Sequence, residues 1–217
     1  MSRLLSEGGL TLFVDFGSLP TYLALGGIGK ILDETSLEAF WLPVVSVPSV
    51  SSIDARGVDP LAAYKARRKS AKRRFAGREL ERNCERMGIS EAQGARSIDS
   101  TNAALGLMWL HEKQADPHMF RTYIESVFSA VYREPELVEE PDIVVKKLEQ
   151  CGVVTEGFLT DGVTGQGAKL QALQEEILEL GILESPTFIY QGECFQGRQH
   201  LPLLVWLMNG SHGSPPA

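Results

Sequence analysis

The residues whose types and spacing best suit chemistry lie in the stretch 15–24, between a strand-like apolar run and a helix-like run. A turn of this kind aims its own side chain and the first helical N–H groups at one point, where a thiolate or another anion is stabilised. Two cysteines three positions apart would make the turn a redox site, but this chain carries Ser18-Leu19-Pro20-Thr21. The sequence therefore predicts a thiolate-stabilising turn that has no thiol of its own.

Ser18 also has an interpretation that needs no ligand. Serine is a preferred helix N-cap, because its hydroxyl accepts a hydrogen bond from the backbone of the first turn. Pro20 suits that first turn, where its missing N–H costs nothing. From these residues alone, capping and ligand binding both remain open.

The composition is that of an ordinary globular protein. The chain has 217 residues, of which 43% are hydrophobic and 23% charged, so it can bury a substantial core. No apolar run approaches the roughly 18 residues of a membrane span, and no signal-peptide pattern is present, so we expect a cytoplasmic location and no membrane partner. The cysteines, Cys84, Cys151 and Cys194, are far apart, and we expect reduced thiols and no metal site.

Basic residues are concentrated in one segment. Between positions 65 and 86 the chain has ten lysines and arginines against three glutamates, a local charge of +7 within a net charge of −7. Such a segment could collect an anionic ligand or nucleic acid. A solvated helix face explains it as well, since Arg78, Arg82 and Arg86 repeat every four residues and solvated charge runs are commoner than binding patches. We therefore expect no nucleic-acid partner.

Hydrophobic periodicity divides the chain into two ends with mixed helix and strand signals and a helical middle. The N-terminal end is predicted to form a buried strand at 10–16, a helix at 20–34 and a strand at 40–45, where Pro43 indicates a sheet edge. The remaining predicted elements are helices at 60–87, 101–114, 117–132, 141–150, 170–180 and 201–208, and a hairpin at 187–196.

This order of elements allows the two ends to share one sheet. We therefore predict an α/β fold in which residues 1–55 and 160–210 form one domain and residues 56–159 form a helical insertion. Residues 211–217 are expected to be a disordered tail.

Three segments resemble one known family. Residues 15–24 are similar to the pattern Asp-Phe-x-Ser-Pro-x-Ser/Ala-Tyr-Leu-Ala, residues 184–188 to Gly-Val-Pro-Thr-Phe, and residues 195–201 to Phe-x-Gly-x-Asp-Arg-Leu. These patterns are typical of the DsbA-like branch of the thioredoxin superfamily, and within it of 2-hydroxychromene-2-carboxylate isomerases and kappa-class glutathione transferases. The resemblance covers nearly the whole chain and implies a thioredoxin-like fold with a large all-helical insertion.

The resemblance also implies a glutathione site. Ser18 matches the serine that faces the glutathione sulfur, while Ser185 and the cis proline matched by Pro186 offer a backbone edge to the peptide part of glutathione. Arg198 and Gln199 match positions at the γ-glutamyl end, where Gln199 stands in place of an aspartate that pairs with the α-ammonium group. A neutral amide weakens that contact by about 1–2 kcal/mol.

The function implied is a glutathione-dependent isomerase. A glutathione thiolate stabilised by Ser18 would add reversibly to an unsaturated aromatic or carbonyl acid. Tyr22, Lys65 and Arg67 are candidate substrate contacts, and relatives suggest a homodimer. The alternatives are a kappa-like glutathione transferase and a non-catalytic DsbA-like binding module. A dithiol-disulfide oxidoreductase is excluded, since neither Ser18 nor Thr21 can form a disulfide.

Overall fold

A computed structural model of the chain describes residues 9–35, 37–45, 60–90, 98–134 and 136–216. The chain forms two compact units. One contains residues 1–46 and 98–217, and the other contains residues 47–97. The predicted division into a domain of residues 1–55 and 160–210 and an insertion of residues 56–159 stays a prediction.

The first unit is built on a four-stranded sheet. Its strands are β1 (Leu10–Val14), β2 (Ala39–Pro43), β3 (Thr187–Tyr190) and β4 (Glu193–Gln196), in the order β2-β1-β3-β4. β1 pairs with β2 in parallel and with β3 antiparallel, and β3 pairs with β4 antiparallel. The two ends of the chain therefore do share one sheet, and every residue of β1 is buried, as its continuous apolar run predicted.

Helices form much of the rest of the chain that the structure describes. In the first unit they are α1 (Leu19–Thr35), α3 (Thr101–Glu112), α4 (Pro117–Tyr132), α5 (Pro141–Gln150), α6 (Val163–Glu179) and α7 (Leu201–Met208); a π-helical turn covers Phe158–Gly162 and a 3-10 turn covers Arg198–His200. The second unit contains α2 (Pro60–Met87). Each predicted helix is present; most ends agree within two residues, but α6 begins at Val163, seven residues before its predicted start. Within the described ranges, no helix combines the length and apolar character that crossing a bilayer requires.

The core lies between the sheet and the helices. One face of the sheet contributes Phe13, Leu42 and Ile189, which cluster with Leu173 and Ile177 of α6. The aromatic stripe of α4, which the sequence assigned to packing, is buried, and the rings of Tyr123 and Phe128 contact Phe16 directly after β1. Burial of these large side chains is the main force that holds α4 against the sheet.

β2 is an edge strand, as Pro43 predicted. Two helices supply side chains that cover its outer edge. The Trp41 carbonyl lies 2.6 Å from Nε2 of His111, and the Pro43 carbonyl accepts a hydrogen bond of 2.9 Å from Nε2 of Gln174. The same glutamine accepts one from the Val45 N–H through Oε1. These contacts satisfy backbone groups that would otherwise attract another strand.

Candidate functional site

The turn after β1 is fixed by Asp15, a carboxylate that is only 2% exposed. Its Oδ1 accepts hydrogen bonds from the Gly17 N–H at 2.8 Å and from the Ser100 hydroxyl at 3.1 Å, and its carbonyl accepts one from the Ser18 N–H at 3.0 Å. These bonds end the strand at Val14, two residues before the end that the apolar run predicted. They also place Ser18 directly before the first residue of α1.

The Ser18 side chain makes two contacts at this helix end. Its Oγ accepts a hydrogen bond of 3.3 Å from the Thr21 N–H, which makes Ser18 the N-cap of α1. The same hydroxyl donates a hydrogen bond of 3.1 Å to the carbonyl of Ser185. Capping and contact with the second family-like segment therefore occur together in one side chain.

The Ser185 side chain joins β1 to α1. Its Oγ accepts a hydrogen bond of 2.9 Å from the Asp15 N–H and donates one of 3.3 Å to the Phe13 carbonyl. Thr21 Oγ1 lies 2.7 Å from the same atom, in a hydrogen bond in which either hydroxyl can be the donor. Sequence analysis assigned Ser185 for its backbone and gave Thr21 no role. The sequence signal for this role was the spacing of Ser18 and Thr21, which lets both hydroxyls reach Ser185.

The Ser185-Pro186 peptide bond is cis, as the resemblance implied. The Pro186 carbonyl accepts a hydrogen bond of 2.8 Å from the Gly197 N–H, so the third family-like segment is tied to the second. Gly197 has φ 94°, a left-handed value that favours glycine. The structure thus brings Ser18, Ser185 and Pro186 together and attaches the third family-like segment to them.

Gln199 lies over Gly197. A Cβ on Gly197 would come within 2.3 Å of Gln199 Oε1, and Gln199 Nε2 donates a hydrogen bond of 2.9 Å to the Gln196 carbonyl. Arg198, the first residue of the 3-10 turn, is half-buried. The amide of Gln199 is exposed at the position where the resemblance places an aspartate.

Tyr22 lies in the packing layer of α1. It is 8% exposed, its ring stacks on Tyr132 with 4.8 Å between ring centroids, and its hydroxyl accepts a hydrogen bond of 2.7 Å from Nε of Arg133. Tyr132 donates a hydrogen bond of 3.0 Å to the Gly17 carbonyl and so supports the turn that carries Ser18. Sequence analysis assigned Tyr132 no role, since only the fold brings residues 115 positions apart into contact.

The other two candidate substrate contacts, Lys65 and Arg67, are exposed on α2 in the second unit. Their assignment to a substrate carboxylate stays a prediction. Among the described residues, no group of three or more histidine, cysteine, aspartate or glutamate side chains is arranged to hold a metal ion.

None of the three cysteines is in a disulfide. Cys84 and Cys151 are buried, and burial raises the pKa of both thiols. Cys194 is an exposed residue, and partial desolvation of its thiol raises that pKa as well. A raised pKa disfavours the reactive thiolate. Thiol chemistry at the Ser18 turn would therefore need a sulfur that a ligand brings.

Comparison with known proteins identifies the fold. No family model and no curated protein matches the chain. A 2-hydroxychromene-2-carboxylate isomerase structure matches 94% of this chain and 99% of its own, with 18% identity and a TM-score of 0.66. A probable DsbA oxidoreductase from Streptomyces coelicolor matches 96% of this chain and 92% of its own, with 13% identity and a TM-score of 0.63. The cytosolic disulfide reductase DsbM from Pseudomonas aeruginosa with GSH matches 89% and 92%, with 15% identity and a TM-score of 0.57. The chain therefore has a DsbA-like thioredoxin fold with a helical insertion, the fold that its three segments predicted.

Proposed function

We propose that this protein is a glutathione-dependent isomerase of the 2-hydroxychromene-2-carboxylate isomerase type, which acts on an unsaturated aromatic or carbonyl acid. The observation that carries the proposal is the contact of 3.1 Å between the Ser18 hydroxyl and the Ser185 carbonyl at the start of α1. It places a hydroxyl donor, a helix N-terminus and the backbone beside Pro186 at one point.

The residues at this point fit a bound thiolate. Bound glutathione would supply a sulfur nucleophile that adds to a conjugated double bond and leaves again after rotation about the resulting single bond. Ser18 would turn its hydroxyl hydrogen from the Ser185 carbonyl to the sulfur, so a neutral hydrogen bond is exchanged for a charge-assisted one. The partial positive charge of the α1 N-terminus favours the same anion.

One backbone donor at this helix end remains available. Pro20 has no N–H, and the N–H groups of Ser18 and Thr21 already donate to Asp15 and Ser18. Among the described residues, none accepts a hydrogen bond from the Leu19 N–H. Side chains, water or ligands normally accept hydrogen bonds from such donors at helix ends. A thiolate beside Ser18 would accept one from the Leu19 N–H.

The rest of the glutathione molecule would lie along the second and third segments. The backbone of Ser185 would pair with the peptide part, and the half-buried Arg198 and exposed Gln199 would contact the γ-glutamyl end. The hydrogen bond from the Gly197 N–H to the Pro186 carbonyl holds these two contact regions at a fixed separation.

The comparisons support this proposal without deciding it. The isomerase named above has the same fold along nearly its whole length, and DsbM of that fold was solved with GSH. The same two observations fit a glutathione transferase or a binding module equally well. Only a measurement of the reaction distinguishes these three functions. A cytoplasmic location and a homodimer are part of the proposal.

The test compares the wild type with Ser18→Gly in calorimetric titration with glutathione and in isomerisation of 2-hydroxychromene-2-carboxylate. Glycine at an N-cap costs only a few tenths of a kcal/mol, so the fold is kept while the hydroxyl donor is lost. A hydrogen bond to a charged group is worth about 1.5–3 kcal/mol, so the isomerisation rate should fall roughly 10- to 100-fold. The pH at which the rate reaches half its maximum should rise, because the thiolate is less stabilised.

Ser126→Ala is the matched control, because its hydroxyl donates to the Tyr123 carbonyl at 2.8 Å on α4, away from the site. It should leave both measurements unchanged. Glutathione that binds with no isomerisation but with conjugation of aromatic electrophiles would make the protein a transferase. No heat release at millimolar glutathione would refute the glutathione proposal and favour a binding module.

A further inference from the structure

A cavity opens at the end of the sheet opposite the Ser18 turn. It has a volume of about 370 Å³, within the range of roughly 300–1,000 Å³ that is usual for small-molecule sites. Ala39 in its wall pairs with Leu10, the first residue of β1, whereas Ser18 follows the last. The cavity is therefore separate from the candidate glutathione site.

Aromatic rings form much of its wall. The His111 ring lies between Phe40 and Phe120, at centroid distances of 4.8 and 4.6 Å, and Trp41 also lines the space. Phe40 is 50% exposed although its ring contacts that of His111. A flat apolar molecule in the cavity would cover the exposed half of this ring and remove apolar surface from water.

The hydrogen bond of His111 fixes which of its nitrogens is a donor. Nε2 lies 2.6 Å from the Trp41 carbonyl, and a carbonyl can only accept, so Nε2 carries the hydrogen. Burial lowers the pKa of His111, which keeps the imidazole neutral near pH 7. Nδ1 then has a free lone pair, and no described residue donates to it. His111, which lines the cavity, thus offers Nδ1 as a hydrogen-bond acceptor among aromatic rings.

Gln114 adds a polar group to the same wall at an unusual backbone position. Its φ is 50°, in the left-handed region where glycine normally ends a helix. A glutamine there costs conformational energy, about 1 kcal/mol or more, and places a side-chain amide at the cavity. Glu38, also in the wall, adds a carboxylate that repels anions.

We propose that this cavity binds a small planar aromatic molecule that carries an N–H or O–H donor, with its ring against Phe40 and its donor on Nδ1 of His111. Uncharged ligands of the indole or phenol kind meet this description. Aromatic carboxylates do not, because Glu38 is in the wall. The site is therefore selective against the acids that the isomerase proposal assigns to the Ser18 end.

Indole and indene are the probes, because they have nearly the same shape and only indole has an N–H. A neutral hydrogen bond contributes about 0.5–1.5 kcal/mol, so calorimetry should show indole binding roughly 2- to 10-fold more tightly than indene. In His111→Phe, which keeps an aromatic ring but has no acceptor, the two affinities should be equal. Equal affinities in the wild type would overturn the proposal.

Two pairs of variants locate the binding at this cavity. Phe40→Ala should weaken indole several-fold, while Phe75→Ala, at a phenylalanine 72% exposed on α2, should not. Gln114→Gly relieves the left-handed backbone and removes the amide from the cavity wall, so it should keep or raise the free energy of unfolding and weaken indole binding. Its control, Gln191→Gly, removes a glutamine with φ 51° from the turn between β3 and β4 and should leave indole binding unchanged. Indole affinity that survives both Phe40→Ala and Gln114→Gly would place the ligand elsewhere. A dimer interface that covers Phe40 would also overturn the proposal, because it would close the cavity.

Discussion

Gly106 of α3 lies at a close helix contact, and Gly106→Ala tests it. A Cβ on this residue would lie 2.0 Å from the hydroxyl oxygen of Tyr123 and 2.8 Å from Cγ1 of Val144. Both neighbours are fully buried, on α4 and α5. The Tyr123 hydroxyl donates a hydrogen bond of 2.8 Å to the Ala103 carbonyl, and burial raises the pKa of this tyrosine well above its ordinary value. The hydroxyl therefore keeps its hydrogen and its partner.

The magnitude follows from what must move. Ordinary van der Waals contact begins near 3.4 Å, so Tyr123 must shift by more than an ångström and break its bond to Ala103. Overpacking a core costs about 1–3 kcal/mol and an unpaired buried hydroxyl about 1–3 kcal/mol more. The better helix propensity of alanine returns about 1 kcal/mol. We expect Gly106→Ala to lower the free energy of unfolding by about 1–5 kcal/mol.

Urea unfolding followed by circular dichroism measures this difference. Gly26→Ala on α1 is the control, because a Cβ there meets nothing within 4 Å, and it should raise the free energy of unfolding by about 1 kcal/mol. If Gly106→Ala unfolds at the same urea concentration as the wild type or higher, the close crossing of α3 and α4 described above is wrong.

Two further predictions concern charge. Gln199→Asp should tighten glutathione binding roughly 5- to 30-fold by calorimetry, since a carboxylate adds about 1–2 kcal/mol to a contact with an ammonium group. The control Gln191→Asp, on an exposed turn, should leave the affinity unchanged. Equal effects of the two variants would contradict a specific contact at Gln199. Burial lowers the pKa of His111 in the folded state, so the unfolded chain binds more protons below about pH 6.5. The free energy of unfolding, measured by urea titration at several pH values, should therefore fall as the pH drops below that value. His111→Gln should reduce this slope, and an unchanged slope in that variant would contradict the assignment to His111.

Local sequence signals were sufficient for most of the fold. The continuous apolar run of β1 predicted a strand buried on both faces, and Pro43 predicted the edge position of β2. The end of β1 was misplaced because Phe16 is as apolar as the strand. What ends the strand is the Asp15 carboxylate, which bonds to the backbone two residues later, and hydrophobic periodicity does not register such a bond.

The candidate site was less accessible to sequence reasoning, because its supports are distant along the chain. Tyr132 and Ser100 bond to the Ser18 turn from α4 and from the residue before α3. The second role of Ser185, through its side chain, depends on atoms about 170 positions away. No periodicity links such positions; only the packing of the helices and β3 against β1 does.

The two interpretations of Ser18 turn out to be compatible, and this changes how its variants must be interpreted. One oxygen caps α1 and its hydrogen contacts Ser185, so alanine would remove the cap and the donor together. Glycine largely separates the two effects, and Ser18→Asp separates them from the other side, because aspartate caps a helix as well as serine does while its charge repels a thiolate. A Ser18→Gly variant that folds like the wild type yet binds glutathione more weakly would assign the hydroxyl to the ligand. Retained binding in Ser18→Asp would leave Ser18 with its capping role alone.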